Sequence, residues 1–262
     1  MTNQTKNLIL RLSSLSLLLA MLTCACACRA TSSLPTVQEP PQEPISPAIV
    51  AEGEEMGEEY LDSFVFFGES TLYHLKSRGV LRSGTRTTQV WGADNGTAML
   101  DTTIDSFRIR YPETGELLTV AEAAERKKPE RMLLCFGLNG AVQFHKKGGE
   151  YFKECYRLLL AEIRKASPST RIVIASCFPV ASNMDMSRYS VTLDELNAII
   201  DKINAWAIEL CEEEGLPYLA VGDILKDSKG RLKTEYQHGD GHHLTRNAYL
   251  AILKYLRTHS VK

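Results

Sequence analysis

The chain has 262 residues, of which 44% are hydrophobic and 24% charged, with a formal net charge of -2. That length suits one medium α/β domain with an appendage, since a single core serves about 100 to 250 residues. The near-neutral balance excludes a general electrostatic attraction to polyanions, so no nucleic-acid partner is expected.

The N-terminus departs from this average. Lys6 and Arg11 bracket the approach to an apolar run over residues 12–22, and small residues and cysteines follow, which is the layout of a secretory or lipoprotein signal over residues 1–28. The run is too short for a comfortable membrane span. Membrane attachment is therefore expected only through a lipid on Cys24, Cys26 or Cys28, although none of them has the usual Leu-x-x-Cys spacing. Residues 29–59, rich in Pro, Glu, Ser and Gln, offer little to bury against the entropy of ordering them and read as a disordered tether. An exported domain over residues 60–262 is the expected remainder.

In that body, apolar runs of strand length alternate with stretches of helical period. The strands are expected at "SFVFFG" (63–68), "TTQVW" (87–91), "RMLLCFG" (131–137), "RIVIASCFPV" (171–180) and "LPYLAV" (216–221). Helices are expected at 149–168 and 192–215. In the second, Leu196, Ile199, Ile203, Trp206 and Leu210 recur every three or four residues, Thr192 with Glu195 forms a capping box, and Gly215 ends the pattern. Strands apolar on both faces and separated by helices imply a parallel sheet covered on both sides, a three-layer α/β/α sandwich. Cys135, Cys155, Cys177 and Cys211 lie far apart inside apolar patterns and read as buried thiols.

In such a sheet ligands bind beyond the carboxyl ends of the strands, so the residues that follow each run carry the functional reading. "FVFFGEST" (64–71) places Gly68, Glu69 and Ser70 at a strand end before a short helix. A serine there either caps the helix or presents its hydroxyl to a cleft. The second strand runs into "QVWGADNGTAML", where Gly92 and Gly96 can each offer a backbone N–H. The third ends at Gly137, with Asn139 in the next loop either turning the chain or aiming its amide at the same cleft. Near the C-terminus Asp240 and His243 stand three apart in a glycine-containing loop, and Thr245 caps a helix fixed by Tyr249, Ile252, Leu253 and Leu256. That spacing lets Asp240 accept from one ring nitrogen while the other acts as a base. A metal site at His238, Asp240, His242 and His243 is the rival reading of the same loop.

Taken together and in this order, the blocks resemble those of the SGNH hydrolases, the GDSL esterase and lipase superfamily. The family's "GDS" stands here as "GES" with Ser70, its "GxND" as "GLNG" at 137–140, and its "DxxH" as "DGHH" at 240–243. The resemblance covers nearly all of residues 60–259. It implies a flavodoxin-like sandwich and a serine esterase with Ser70 as nucleophile, His243 as base and Asp240 as its orienting acid. The implied oxyanion donors are the N–H groups of Ser70 and Gly96, with Gly92 as second choice for the glycine, and the Asn139 amide. No metal or organic cofactor is needed. The implied substrate is a small ester or an acylated glycan outside the cell, with acetyl the expected acyl group. The loop "SNMDMSRYS" (182–190) is expected to border the cleft, with Met184, Met186 and Tyr189 as a candidate apolar wall or a plain surface loop.

Two departures stand out. Glu69 replaces the family's first-block Asp, with a longer side chain that can reach a similar donor, and Gly140 replaces its third-block Asp with no side chain to bond, which predicts a weaker hold on Asn139 and a slower enzyme. They also motivate an alternative, a surface protein that keeps the fold and binds carbohydrate without turning it over.

Overall fold

The computed structural model describes residues 46–94, 96, 98–102 and 108–261. The expected signal, its cysteines and residues 29–45 of the expected tether lie outside these residues. All five expected strands form, because runs such as "FVFF" and "MLLC" are apolar at every position and can be buried on both faces. In chain order the strands are β1 (Phe64–Gly68), β2 (Val90–Trp91), β3 (Ile109–Arg110), β4 (Leu117–Leu118), β5 (Arg131–Cys135), β6 (Arg171–Ala175) and β7 (Tyr218–Leu219). β2-β1-β5-β6-β7 form one parallel sheet. β3 and β4 form a separate antiparallel pair that the sequence reading did not anticipate.

The helices are α1 (Glu58–Asp62), α2 (Ser70–Ser77), α3 (Val120–Lys127), α4 (Ala141–Lys147), α5 (Gly149–Ala166), α6 (Leu193–Glu214) and α7 (Arg246–Thr258). α6 begins with the expected capping box: Glu195 N–H donates to the Thr192 hydroxyl and Thr192 N–H to the Glu195 carboxylate. Alternation along the strands divides the core into two layers. Val65, Phe67, Met132, Leu134, Ile172 and Ile174 pack with α3 to α6 on one face. Phe64, Phe66, Leu133, Cys135, Val173 and Ala175 pack with α1, α2 and α7 on the other. The four body cysteines are all buried and free.

The strand order positions the site. From β1 the chain crosses to β2 on one side and later returns to β5 on the other, so the connections diverge between β1 and β5. At such a switch point the strand ends open a crevice. The segments leaving β1 and β5, which carry Ser70 and Asn139, flank that crevice.

The expected tether is a second point of difference. Residues 46–57 open with a turn closed by Ile49 N–H donating to the Ser46 carbonyl at 3.1 Å, and they are attached to the domain. Ile49 bridges Tyr218 at the free edge of β7, and Val50 N–H donates to the Tyr218 carbonyl at 3.0 Å. Farther on, Gly53 and Met56 donate to the carbonyls of Thr258 and Arg257, and Arg257 pairs with Glu55 and Glu58. A polar composition thus reads as free chain, whereas the edge of β7 supplies backbone partners that composition does not register. Among the described residues no helix is long and apolar enough to cross a membrane.

Candidate active site

β1 delivers Ser70 as the first residue of α2, with Glu69 in extended conformation as its N-cap. Three contacts fix that helix to the C-terminal segment: the Tyr249 hydroxyl donates to the Thr71 carbonyl, Arg78 Nε to the Leu244 carbonyl at 3.0 Å, and Arg246 to the carbonyls of Arg78 and Gly79. The loop facing Ser70 is closed by a bridge between Gln237 and Leu244 and by His238 N–H donating to the His243 carbonyl at 2.8 Å. Gly241 has φ 84°, and a Cβ there would lie 2.6 Å from the Met184 backbone, so only glycine lets the loop approach the segment after β6 so closely.

This loop brings Asp240 and His243 to Ser70. His243 Nδ1 lies 2.6 Å from Asp240 Oδ2, and His243 Nε2 lies 3.1 Å from Ser70 Oγ. Asp240 Oδ1 accepts the backbone N–H groups of His242 and His243 at 3.1 and 2.9 Å. Burial opposes ionisation of the Asp240 carboxyl, but these bonds and the His243 ring outweigh it and hold it well below the usual carboxylate range. An ionised Asp240 can only accept, so Nδ1 carries the proton and the Nε2 lone pair faces the Ser70 hydroxyl.

The rival metal cluster is only partly assembled. Asp240, His242 and His243 have ligand atoms within 4.8 Å of one another, without His238. Both Asp240 oxygens accept hydrogens from the other two residues, so hydrogen bonds tie the three together.

Glu69 resolves the two departures. Its side chain is 2% exposed, and its two oxygens accept the N–H groups of Gly137 and Asn139 at 2.8 and 3.0 Å. The longer side chain therefore holds the very loop that carries Asn139. Gly140, with φ 82°, turns the chain into α4 in a conformation that a side chain would strain. The Asn139 side-chain amide donates to the Ala98 carbonyl at 2.9 Å, which uses one of its two hydrogens. The expectation of a weakly held Asn139 is thus corrected.

Burial pushes the Glu69 carboxyl up to about 8 despite the N–H groups it accepts, which work in the opposite direction. The raised folded-state value means that Glu69 contributes stability fully present below about pH 4.5 and lost as pH rises through about 8. Wild-type stability should therefore decline across that window by up to about 5 kcal/mol relative to Glu69→Gln, the ceiling set by the shift. Denaturant unfolding at several pH values checks this slope. Parallel curves for the two proteins would show that Glu69 is ionised in the folded state.

Gly96 behaves differently from expectation. It is exposed, and its N–H donates to the Ala93 carbonyl at 2.9 Å to close a turn. Gly92, the second choice, is buried against Tyr73 of α2; a Cβ on it would meet that ring at 2.5 Å.

One residue escaped the sequence reading. His74 stacks on His243 with ring centroids 4.2 Å apart and planes 21° from parallel, and His242 lies 4.0 Å from the same ring. The His74 Nδ1 atom is buried without a hydrogen-bond partner among the described residues. Burial, and then the neighbouring His243 charge, push its pKa down to about 4, so His74 remains a neutral face against the His243 ring at ordinary pH. The interval of four from Ser70 places His74 on the same side of α2, which is legible in sequence. The stack on a loop 169 positions away is not.

Of the expected wall in the 182–190 loop, Tyr189 borders a cleft of about 650 Å³ that also takes in Asn139. Met184 and Met186, like Tyr189 itself, pack against the core but do not line this cleft.

Comparisons with known proteins agree with this arrangement of elements. Residues 66–251 match the model of the GDSL-like lipase/acylhydrolase family. Among solved structures, a Streptococcus pneumonia protein provisionally described as a platelet activating factor is 20% identical, with a TM-score of 0.53 over 74% of this chain and 82% of that one. A Slackia heliotrinireducens protein provisionally described as an SGNH hydrolase is 17% identical, with a TM-score of 0.50 over 75% of this chain and 98% of that one. At these identities the likeness is one of fold. No curated protein matches the chain by sequence. The extent of the family match, 186 of 262 residues counted from 66 through 251, establishes that the chain belongs to the GDSL-like lipase/acylhydrolase family.

Proposed function

We propose that the protein is an exported serine esterase that removes acyl groups, with acetyl the simplest case, from a cell-surface or extracellular carbohydrate. The observation that carries the chemistry is the continuous pairing of Ser70 Oγ, His243 Nε2, His243 Nδ1 and Asp240 Oδ2. Ser70 Oγ attacks the ester carbonyl as His243 takes its proton. The tetrahedral intermediate collapses with that proton leaving on the alcohol, and water, deprotonated by the same ring, releases the acyl group as the acid. Asp240 holds the ring and stabilises the imidazolium, and His74 keeps its plane.

The negative oxygen is assigned to the Ser70 N–H at the start of α2, the Asn139 amide and the Gly92 N–H, which replaces Gly96 because the latter already serves a turn. Asn139→Ala is expected to lower kcat about a hundred- to thousandfold with little change in KM, the usual consequence of losing one such donor. Steady-state kinetics on 4-nitrophenyl acetate test it; an unchanged kcat would remove Asn139 from this role.

The carbohydrate and the export rest on the N-terminal sequence pattern and on the polar segment that follows it. A fluorophosphonate probe should label Ser70, as located by peptide mass spectrometry, and the protein should release acetate from acetylated polysaccharide. Folded protein that binds glycan yet neither labels nor releases acetate would establish the carbohydrate-binding alternative instead.

A further inference from the structure

The cleft beside Asn139 is lined by apolar side chains and by cations. Leu138, Val142 and Tyr189 line it as buried or half-buried residues, and Lys146, Lys147 and Arg188 line it as exposed ones. No carboxylate lines it among the described residues. We infer that this cleft binds a negatively charged group of the ester substrate, so that the enzyme prefers anionic esters to neutral ones; the inference rests on the hydrolase reading for its link to catalysis.

The three cations differ in availability. Lys147 Nζ lies 4.0 Å above the Tyr151 ring, a partner the other two lack. Lys146 and Arg188 form no ion pair among the described residues. Other cations of the domain, among them Arg82, Arg126, Arg164, Arg231 and Arg257, have carboxylate partners. Two carboxylates stand nearby and act on these cations electrostatically without forming an ion pair with them: Asp101, which accepts from Gln143 Nε2 at 3.1 Å, acts on Lys147, and Asp185, which accepts from the Ser187 N–H at 2.9 Å, interacts with the Arg188 charge. The unpaired ammonium and guanidinium come from different segments, the last turn of α4 and the loop after β6, and meet over one cleft that also contains Asn139. Favourable helix-dipole placement accounts for Lys146 but not for Arg188. A bound carboxylate or phosphate would satisfy both, and its source is left to the choice of probe.

The test uses the full chain and four esters: neutral phenyl acetate, 4-acetoxybenzoate, 4-acetoxyphenyl phosphate, and mono-phenyl succinate, which carries its charge on the acyl side. The ratio of kcat/KM for an anionic ester over the neutral one should fall about fivefold in Lys146→Ala and in Arg188→Ala, the size expected of a partly exposed charge pair. The losses should multiply in the double variant, and the wild-type ratio should fall with added salt. Which ester shows the effect identifies carboxylate or phosphate, and the alcohol or acyl side. Ratios unaffected by either substitution for all three anionic esters would overturn the inference. If wild-type protein turns over none of the four, the hydrolase reading fails alone. The cleft is then judged by NMR titration of the wild type and the double variant with benzoate and phenyl phosphate. Weaker binding to the variant upholds the site, and equal or absent binding to both refutes it.

Discussion

Replacing Ser70 by alanine is expected to lower kcat/KM for 4-nitrophenyl acetate by about 10⁴-fold or more, with the folded structure retained. In the proposed mechanism the hydroxyl forms the acyl-enzyme, and nothing else in the arrangement replaces it: His243 Nε2 faces Ser70 Oγ at 3.1 Å, and Asp240 lies behind the ring. The residual rate would come from the oxyanion donors and substrate binding, which the substitution leaves in place. Folding is not at stake, because Ser70 opens α2, where alanine is well tolerated, and the helix is held by Tyr249 and Arg246. Circular dichroism and thermal melting check that point. Equal turnover by the two proteins would exclude Ser70 as nucleophile.

Asp240→Asn is expected to lower kcat by about 10⁴-fold while leaving the loop intact. The reason lies in which oxygen does what. Oδ1 accepts the N–H groups of His242 and His243, so an asparagine must keep its oxygen there to avoid facing donor with donor. Its amide nitrogen then occupies the Oδ2 position, 2.6 Å from His243 Nδ1, and obliges that ring nitrogen to accept. The ring proton moves to Nε2, the face turned toward Ser70, and the base is blocked. The variant should therefore lose activity without losing stability of the kind that Asp240→Ala, which removes both acceptors, would forfeit. Activity within tenfold of wild type would mean that His243 does not depend on Asp240 for its tautomer.

The same reasoning explains why substitutions in two family positions need not disable the site. Read one position at a time, Glu69 is a longer carboxylate that can reach a similar donor and Gly140 a missing one. In three dimensions the extra methylene of Glu69 carries its oxygens to Gly137 and Asn139, while Gly140 accommodates the left-handed turn into α4. The burial that makes these bonds strong also raises the Glu69 carboxyl to about 8, so the positioning device and the expected pH dependence of stability have one cause.

The amino-acid sequence by itself determined the elements whose causes are local. Apolar runs specified β1, β5 and β6, the Thr192 and Glu195 pair marked the start of α6, and the three-residue interval between Asp240 and His243 was enough to pair carboxylate and imidazole. Short elements with little periodicity, such as the two-residue strands β3 and β4, left no comparable pattern. Only the tertiary structure decided that Gly96 gives its N–H to a turn, that residues 46–57 attach to β7 and α7, that His74 stacks on His243, and that Lys146 and Arg188 share a cleft. Apart from the Gly96 turn, which closes on Ala93 three residues away, each of these joins groups whose separation along the chain carries no periodic signature. Their meeting follows from how the crossovers order the strands and bring distant loops to one end of the sheet.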